Sequence, residues 1–203
     1  MTRGKLIVIS GPSGVGKTSI CDRLLEDPRF RRVVTCTTRP PRETEVPGVD
    51  YHFLGREEFE QGIREGRFAE HAEVYGHLYG TPLDDIERGI REGSHMLLNI
   101  DVQGARQLRK APIDGMVTLF IAPPDLETLE KRLRGRGNDT PESIERRLLA
   151  AHAELAERDL YDHVIVNESL EQAIRDVLKA IELEPQTEHA SAFGGKDPNE
   201  KTR

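Results

Sequence analysis

At 203 residues, with 36% hydrophobic and 32% charged residues, the chain suits one soluble domain with a sizeable core and room for inserted units. Its formal net charge of −7 disfavours non-specific binding to nucleic acid or anionic membranes, and no apolar run approaches the ~20 residues that span a bilayer. No nucleic-acid or membrane partner is expected, and basic clusters gain meaning because they oppose the overall sign.

Met-Thr-Arg-Gly-Lys leads straight into an apolar run at 6–9 and leaves no room for a signal peptide. Cys21 and Cys36 form neither a C-x-x-C pair nor a disulfide framework, so a reduced cytoplasm is the expected setting. The run at 6–9 has the branching of a buried strand. It ends in Gly11-Pro-Ser-Gly-Val-Gly-Lys17-Thr18, which fits G-x-x-x-x-G-K-[ST] at every fixed position, and a helical pattern (Ile20, Leu24, Leu25) follows at once. Strand, glycine loop and helix together are the context this motif requires. Its backbone N–H groups and the helix N-terminus suit a polyphosphate. Lys17 reaches the β- and γ-phosphates, and the Thr18 hydroxyl is the expected protein ligand for Mg²⁺ carried with ATP.

Residues 33–38 are β-prone, and Arg39-Pro-Pro-Arg42 then forbids regular structure. The prolines stiffen a loop that projects two guanidiniums, as an anion site would; a solvated basic turn is the plainer alternative. Residues 56–64 have helical spacing, 68–75 and 77–79 read as two short strands joined at Gly76, and Pro82 opens a helix carrying Leu83, Ile86 and Ile90. Within this stretch Glu70 stands out. A carboxylate accepts from a ring N–H and an amino group together, a donor pair that guanine presents and adenine does not. Tyr51, Tyr75 and Tyr79 have hydroxyls that bond phosphate, though half-buried strand tyrosines are the commoner case. Residues 35–93 read as a small mixed unit inserted into a larger fold.

Further buried strands are expected at 94–101, 116–121 and 164–166, with helices at 102–108, from Leu126 to Leu133, from about Pro141 to 158 and at 169–181. Asn99 and Asp101 end the second of the core strands. Between Leu133 and Pro141 lies Arg134-Gly-Arg-Gly-Asn-Asp139, and Arg132, Arg134, Arg136, Arg146 and Arg147 together suit a mobile arginine lid closing over phosphates. Residues 185–203 have little to bury and read as a disordered tail. Alternating strands and helices imply an α/β fold with a parallel central sheet covered on both faces, its ligand at the carboxyl ends of the strands. The seven histidines show no zinc grouping. Cys36 lies beside proposed substrate residues and is thiol-sensitive unless it is simply a small buried apolar residue.

Across residues 4–184 the chain resembles the bacterial guanylate kinases. Ser10-Gly-Pro-Ser-Gly-Val-Gly-Lys-Thr18, Thr37-Thr-Arg-Pro-Pro-Arg42, Gly48-Val-Asp-Tyr51, Phe68-Ala-Glu-His-Ala72 and Tyr79-Gly-Thr81 carry the resemblance. So do Ile100-Asp-Val-Gln-Gly104, Arg132-Leu-Arg-Gly-Arg-Gly137, Glu145-Arg-Arg-Leu148 and Val164-Ile-Val-Asn167. It implies a P-loop NTPase three-layer fold divided into a core (4–34, 94–124, 149–184), a GMP-binding unit (35–93) and a mobile helical lid (125–148). ATP would lie on Gly11, Pro12, Ser13, Gly14, Val15, Gly16, Lys17, Thr18 and Ser19, with Arg132 and Asn167 near the adenine. Thr35, Glu70, Thr81 and Asp101 would hold guanine, and Arg39, Arg42, Tyr51 and Tyr79 the GMP phosphate. Lys17, Arg39, Arg136 and Arg147 would act on the transferring phosphoryl group.

The expected reaction is ATP with GMP, and dGMP by extension, giving ADP and GDP in purine nucleotide metabolism. The family often has Asp where this chain has Asn99, so the direct metal ligand rests on Thr18 alone. Two rivals differ in kind: a kinase of this shape acting on another acceptor, and a scaffold module that binds phosphopeptides without catalysis. Glu70 and Asp101 speak against the first, and the complete P-loop against the second.

Overall fold

The computed structural model describes residues 3–74, 76–135 and 140–182. The apolar run at 6–9 becomes β1 (Leu6–Ser10), buried at every residue. It lies in the middle of a five-stranded sheet, flanked in parallel by β7 (His95–Asn99) and β8 (Met116–Ala122). Outside these pair β2 (Phe30–Arg32) and β9 (His163–Val166), also parallel. Successive side chains alternate between faces. Ile7 and Ile9 join one cluster with Leu97, Leu119 and Ile121, while Leu6 and Val8 join the other with Met96, Leu98 and Phe120. A strand buried on both faces reads as a nearly continuous apolar run, which is why residues 6–9 carry no alternation of apolar and polar side chains.

Helices cover both faces. α1 (Lys17–Leu24) and α7 (Leu170–Glu182) pack on the first cluster, and α4 (Val102–Lys110) on the second. α5 (Leu126–Gly135) sends Leu129 and Leu133 into the first cluster, and α6 (Pro141–Leu155) adds Ile144 and Ala151. Fully buried leucines such as Leu129 and Leu133 each contribute about 1.5–3 kcal/mol of transfer free energy. The start of α6 follows its sequence signal: Thr140 caps it by accepting from the Ser143 amide, with Pro141 in the first turn. It ends at Leu155 rather than near 158, and a 3₁₀ turn (Arg158–Leu160) follows.

The β-prone stretch 33–38 forms only the short strand Cys36–Thr37. The edge strand β2 comes before it, with Phe30 turned inward and Arg31 and Arg32 exposed, paired with Glu92 and Asp22. An edge strand needs only one inward residue and gains from outward charges, so its pattern looks polar. The chain then hands over to a second, four-stranded sheet ordered β4 (His52–Phe53), β3 (Cys36–Thr37), β6 (His77–Pro82), β5 (Phe68–Val74). α2 (Arg56–Arg64) buries Phe59 against Cys36 and Leu78 there, and Phe59 stacks on Phe68 with centroids 4.3 Å apart.

Two connections seat this sheet over the carboxyl end of the main one. Gln107 of α4 donates to the His71 carbonyl (2.7 Å) and accepts from its amide (3.1 Å). α3 (Leu83–Arg91) places Ile86 and Ile90 in the main sheet's second cluster. Among the described residues, no helix is long and apolar enough to cross a membrane.

Candidate active site

The carboxyl end of β1 runs directly into the glycine loop. Gly11 has φ 132°, a conformation that favours glycine, and a Cβ there would fall 2.3 Å from the Ile121 carbonyl oxygen on β8. The loop therefore lies against the neighbouring strand in a way only glycine permits. Gly16, at φ 101°, precedes α1, whose first turn carries no acidic side chain. Its amides thus present an unopposed positive end. Lys17 folds back so that its Nζ donates to the carbonyls of Gly11 (2.5 Å) and Pro12 (2.9 Å).

Side chains distant in sequence surround this loop. The amide of Asn167, buried at the end of β9, donates to the Val15 carbonyl at 2.7 Å. Arg132 on α5 donates to the carbonyls of Asn167 (2.9 Å) and Val15 (3.4 Å). Arg147 on α6 donates to Ser13 Oγ at 2.6 Å. Tyr161 meets Ser10, the last residue of β1, through a buried hydroxyl contact of 3.2 Å. Thus the structure brings Ser13, Val15, Arg132, Arg147 and Asn167 together. Arg136 and residues 185–203 lie outside the described residues.

Across the cleft, Thr35, Tyr51, Glu70, Tyr79, Asn99 and Asp101 line one cavity of about 240 Å³. Thr35, Tyr51 and Asn99 also line an adjoining cavity of about 230 Å³ that reaches Thr18. Between them the two spaces reach from Thr18, in the first turn of α1, to the second sheet. Glu70 is 7% exposed and Thr81 fully buried; Thr81 donates its hydroxyl to Glu70. Burial raises the pKa of Glu70, the Thr81 hydrogen bond opposes that rise, and the Asp101 carboxylate adds to it. Asp101 caps α4 by accepting the Gly104 amide at 2.9 Å. That places both carboxylates on one wall.

Arg39 is clamped rather than solvated. Its Nη2 donates to both oxygens of Glu45 at 2.7 and 2.9 Å, and its guanidinium lies 5.5 Å from the Tyr51 ring centre. Tyr51 and Tyr79 meet edge to face at 6.2 Å. The Arg42 side chain is exposed, and its backbone amide donates to Glu45. The residue pattern did not single out Glu45; its signal is an acid six residues after Arg39 and three after Arg42, in a loop stiffened by prolines. It did not single out Glu154 either. This residue lies two helical turns beyond Arg147, on the same face of α6. Burial raises its pKa, the Lys17 ammonium opposes the rise, and Asp101 adds to it.

Among the described residues, no group of three or more His, Cys, Asp or Glu side chains could hold a metal. Thr18 and Asn99, lining one cavity, offer a neutral hydroxyl and a neutral amide. Such residues fit a divalent ion delivered on a triphosphate and completed by phosphate oxygens and water, not a resident protein-bound ion.

A parallel sheet whose central strand runs into this glycine loop, with arginines from two following helices turned onto it, defines a P-loop kinase. The sequence model described as guanylate kinase matches residues 3–184. Guanylate kinase from Clostridium perfringens is 48% identical over 177 residues, covering 86% of this chain and 81% of the relative. That from Thermus thermophilus is 46% identical over 182 residues, covering 90% and 82%. The crystal structure of guanylate kinase from Anaplasma phagocytophilum superposes with a TM-score of 0.70 at 34% identity, covering 92% of this chain and 89% of that one. This chain belongs to the guanylate kinase family.

Proposed function

We propose that the chain transfers the γ-phosphoryl group of ATP to GMP, and to dGMP, giving ADP and GDP as a step of purine nucleotide metabolism in the cytoplasm. The observation that carries this reading is the pair Glu70 and Asp101 on the wall of a cavity whose neighbour reaches Thr18, the residue after Lys17. Two carboxylates facing one ligand call for a ligand edge made of donors. The N1–H and 2-amino group of guanine supply that edge. Thr35 and Thr81 add hydroxyls, and Arg39, Arg42, Tyr51 and Tyr79 receive the acceptor phosphate.

ATP lies on residues 11–19, with Arg132 and Asn167 at the adenine end. The acceptor's phosphate has a second pKa of about 6, so at neutral pH it is already a nucleophilic dianion and no general base is required. The difficulty is electrostatic: unit charges ~4 Å apart repel by about 4 kcal/mol at an effective dielectric near 20. Lys17, Arg39, Arg136 and Arg147 offset this repulsion and hold the two phosphates in line. Thr18 would hold Mg²⁺ delivered with ATP, which would supply charge neutralisation on the triphosphate. Residues 125–148 act as a lid whose closure keeps water from the phosphoryl group. The test is ADP release from ATP with GMP, dGMP, AMP, UMP and CMP. GMP and dGMP are expected to be turned over and the others not; equal turnover of AMP or a pyrimidine nucleotide overturns the reading.

A further inference from the structure

We infer that Glu45 is a positioning residue for the acceptor phosphate, acting through Arg39; this rests on the proposed acceptor being GMP. One carboxylate performs two tasks. It takes Nη2 of Arg39 on both oxygens, at 2.7 and 2.9 Å, and it accepts the backbone amide of Arg42 at 2.8 Å. Both ends of the Arg39–Arg42 segment are therefore fixed to the same group. The pair is sheltered, with side chains 15% and 13% exposed, unlike the half-exposed surface pairs elsewhere on the chain, such as Arg31–Glu92. Exposed pairs of that kind hold little geometry.

The remaining sides of the guanidinium are constrained as well. Its Nη1 donates to the Pro40 carbonyl at 2.7 Å, and the Tyr51 ring lies against it at 5.5 Å. With the two bonds to Glu45, these contacts use at most three of the five N–H groups of an arginine. Tyr51 and Tyr79 both line the acceptor cavity, so the guanidinium is held against Tyr51 beside that cavity, with its orientation set by Glu45 and Pro40. A planar fork fixed in advance loses less freedom on meeting a phosphate than a solvated one. Hydrogen bonding to Arg39 holds the Glu45 carboxyl below the usual carboxylate range, so it keeps its charge at neutral pH.

The experiment compares wild type, Glu45→Gln, Arg39→Ala and the double variant in steady-state kinetics and in binding of GMP, guanosine and inorganic phosphate. Glu45→Gln is expected to raise KM for GMP about tenfold, leaving KM for ATP and affinity for guanosine unchanged. In the Arg39→Ala background the same change should add nothing. The inference is overturned if KM for GMP does not move, if guanosine or ATP binding falls in step, if the double variant is worse than Arg39→Ala, or if Glu45→Gln loses its cooperative melt. Wild type that ignores GMP would refute the acceptor reading instead. Binding of inorganic phosphate would then still decide the role of Glu45: weakened in Glu45→Gln it stands, unchanged it falls.

Discussion

Arg147 on α6 donates to Ser13 Oγ of the glycine loop at 2.6 Å, across 134 positions of sequence. The contact ties the helix after the arginine loop to the loop proposed to hold the triphosphate. In the proposed reaction Arg147 meets the phosphoryl group where charge develops during transfer. Arg147→Met is accordingly expected to lower kcat by about 10²-fold or more, as loss of a transition-state donor does, while KM for GMP stays nearly constant. Steady-state kinetics with both substrates varied checks this. A rise in KM for ATP alone, with kcat intact, would make Arg147 a ground-state contact.

Glu70 is held in a poor place for a charge. Burial raises its pKa above the ordinary 4.5, the Thr81 hydrogen bond opposes this, and the Asp101 carboxylate adds to the rise. A folded-state pKa above the unfolded one means that protonated Glu70 costs nothing. The penalty grows as pH rises from about the ordinary value through the folded one. Glu70→Gln, which keeps an acceptor for Thr81, should therefore melt higher than wild type at pH 7, by ~2–4 °C for each kcal/mol relieved. The gain should fade below about the ordinary value of 4.5. The same variant should lose most of its use of GMP, because an amide places a donor against the guanine edge. Thermal denaturation at pH 7 and pH 4 decides the first half: an equal or lower melting temperature at pH 7 sinks it. A higher one means that stability is sacrificed here for recognition.

Sequence alone reveals some parts of this molecule because their requirements are local. The glycine loop is legible because its contacts are made by backbone, and only glycine permits the approach of Gly11 to Ile121. β1, β7 and β8 are legible because burial on both faces makes each a nearly continuous apolar run, with Ser10 and Thr118 as buried polar exceptions. The edge strand β2 is not, since a single inward Phe30 carries no periodicity. Neither are Glu45 and Glu154. A lone acid in a loop or on a charged helix looks like solvated surface until the fold brings Arg39 or Lys17 beside it. Pairings across the fold, such as Arg132 with Asn167, have no local signal beyond the motifs that contain them.

The two thiols should be inert in the native protein. Cys21 and Cys36 are buried and unpaired, and burial pushes each up to about 12. Since the thiolate is the reactive form, native protein at pH 7.5 should resist iodoacetamide for hours and take two labels in urea, as mass spectrometry would count. Cys36 packs with Phe59 and Leu78 in the small cluster of the second sheet. Rapid native labelling at Cys36 alone would show that this sheet opens far more often than the main one.

Gly16 separates two effects that a substitution there would combine. Its φ of 101° strains any L side chain, and a Cβ would fall 2.4 Å from Nδ2 of Asn167. That nitrogen holds the Val15 carbonyl, so the new methyl group must displace the contact that pins the loop to β9. Gly66 is the natural control, with φ 68° and nothing within 4 Å of its Cβ position. Gly66→Ala should cost only backbone strain, about 1 kcal/mol. Gly16→Ala should cost more, about 2–3 kcal/mol, and should weaken ATP binding while Gly66→Ala leaves it alone. Urea unfolding of both variants, with nucleotide titration, measures the difference. Equal costs would mean that the Asn167 amide simply swings aside, and that its bond to Val15 does not hold the loop in shape.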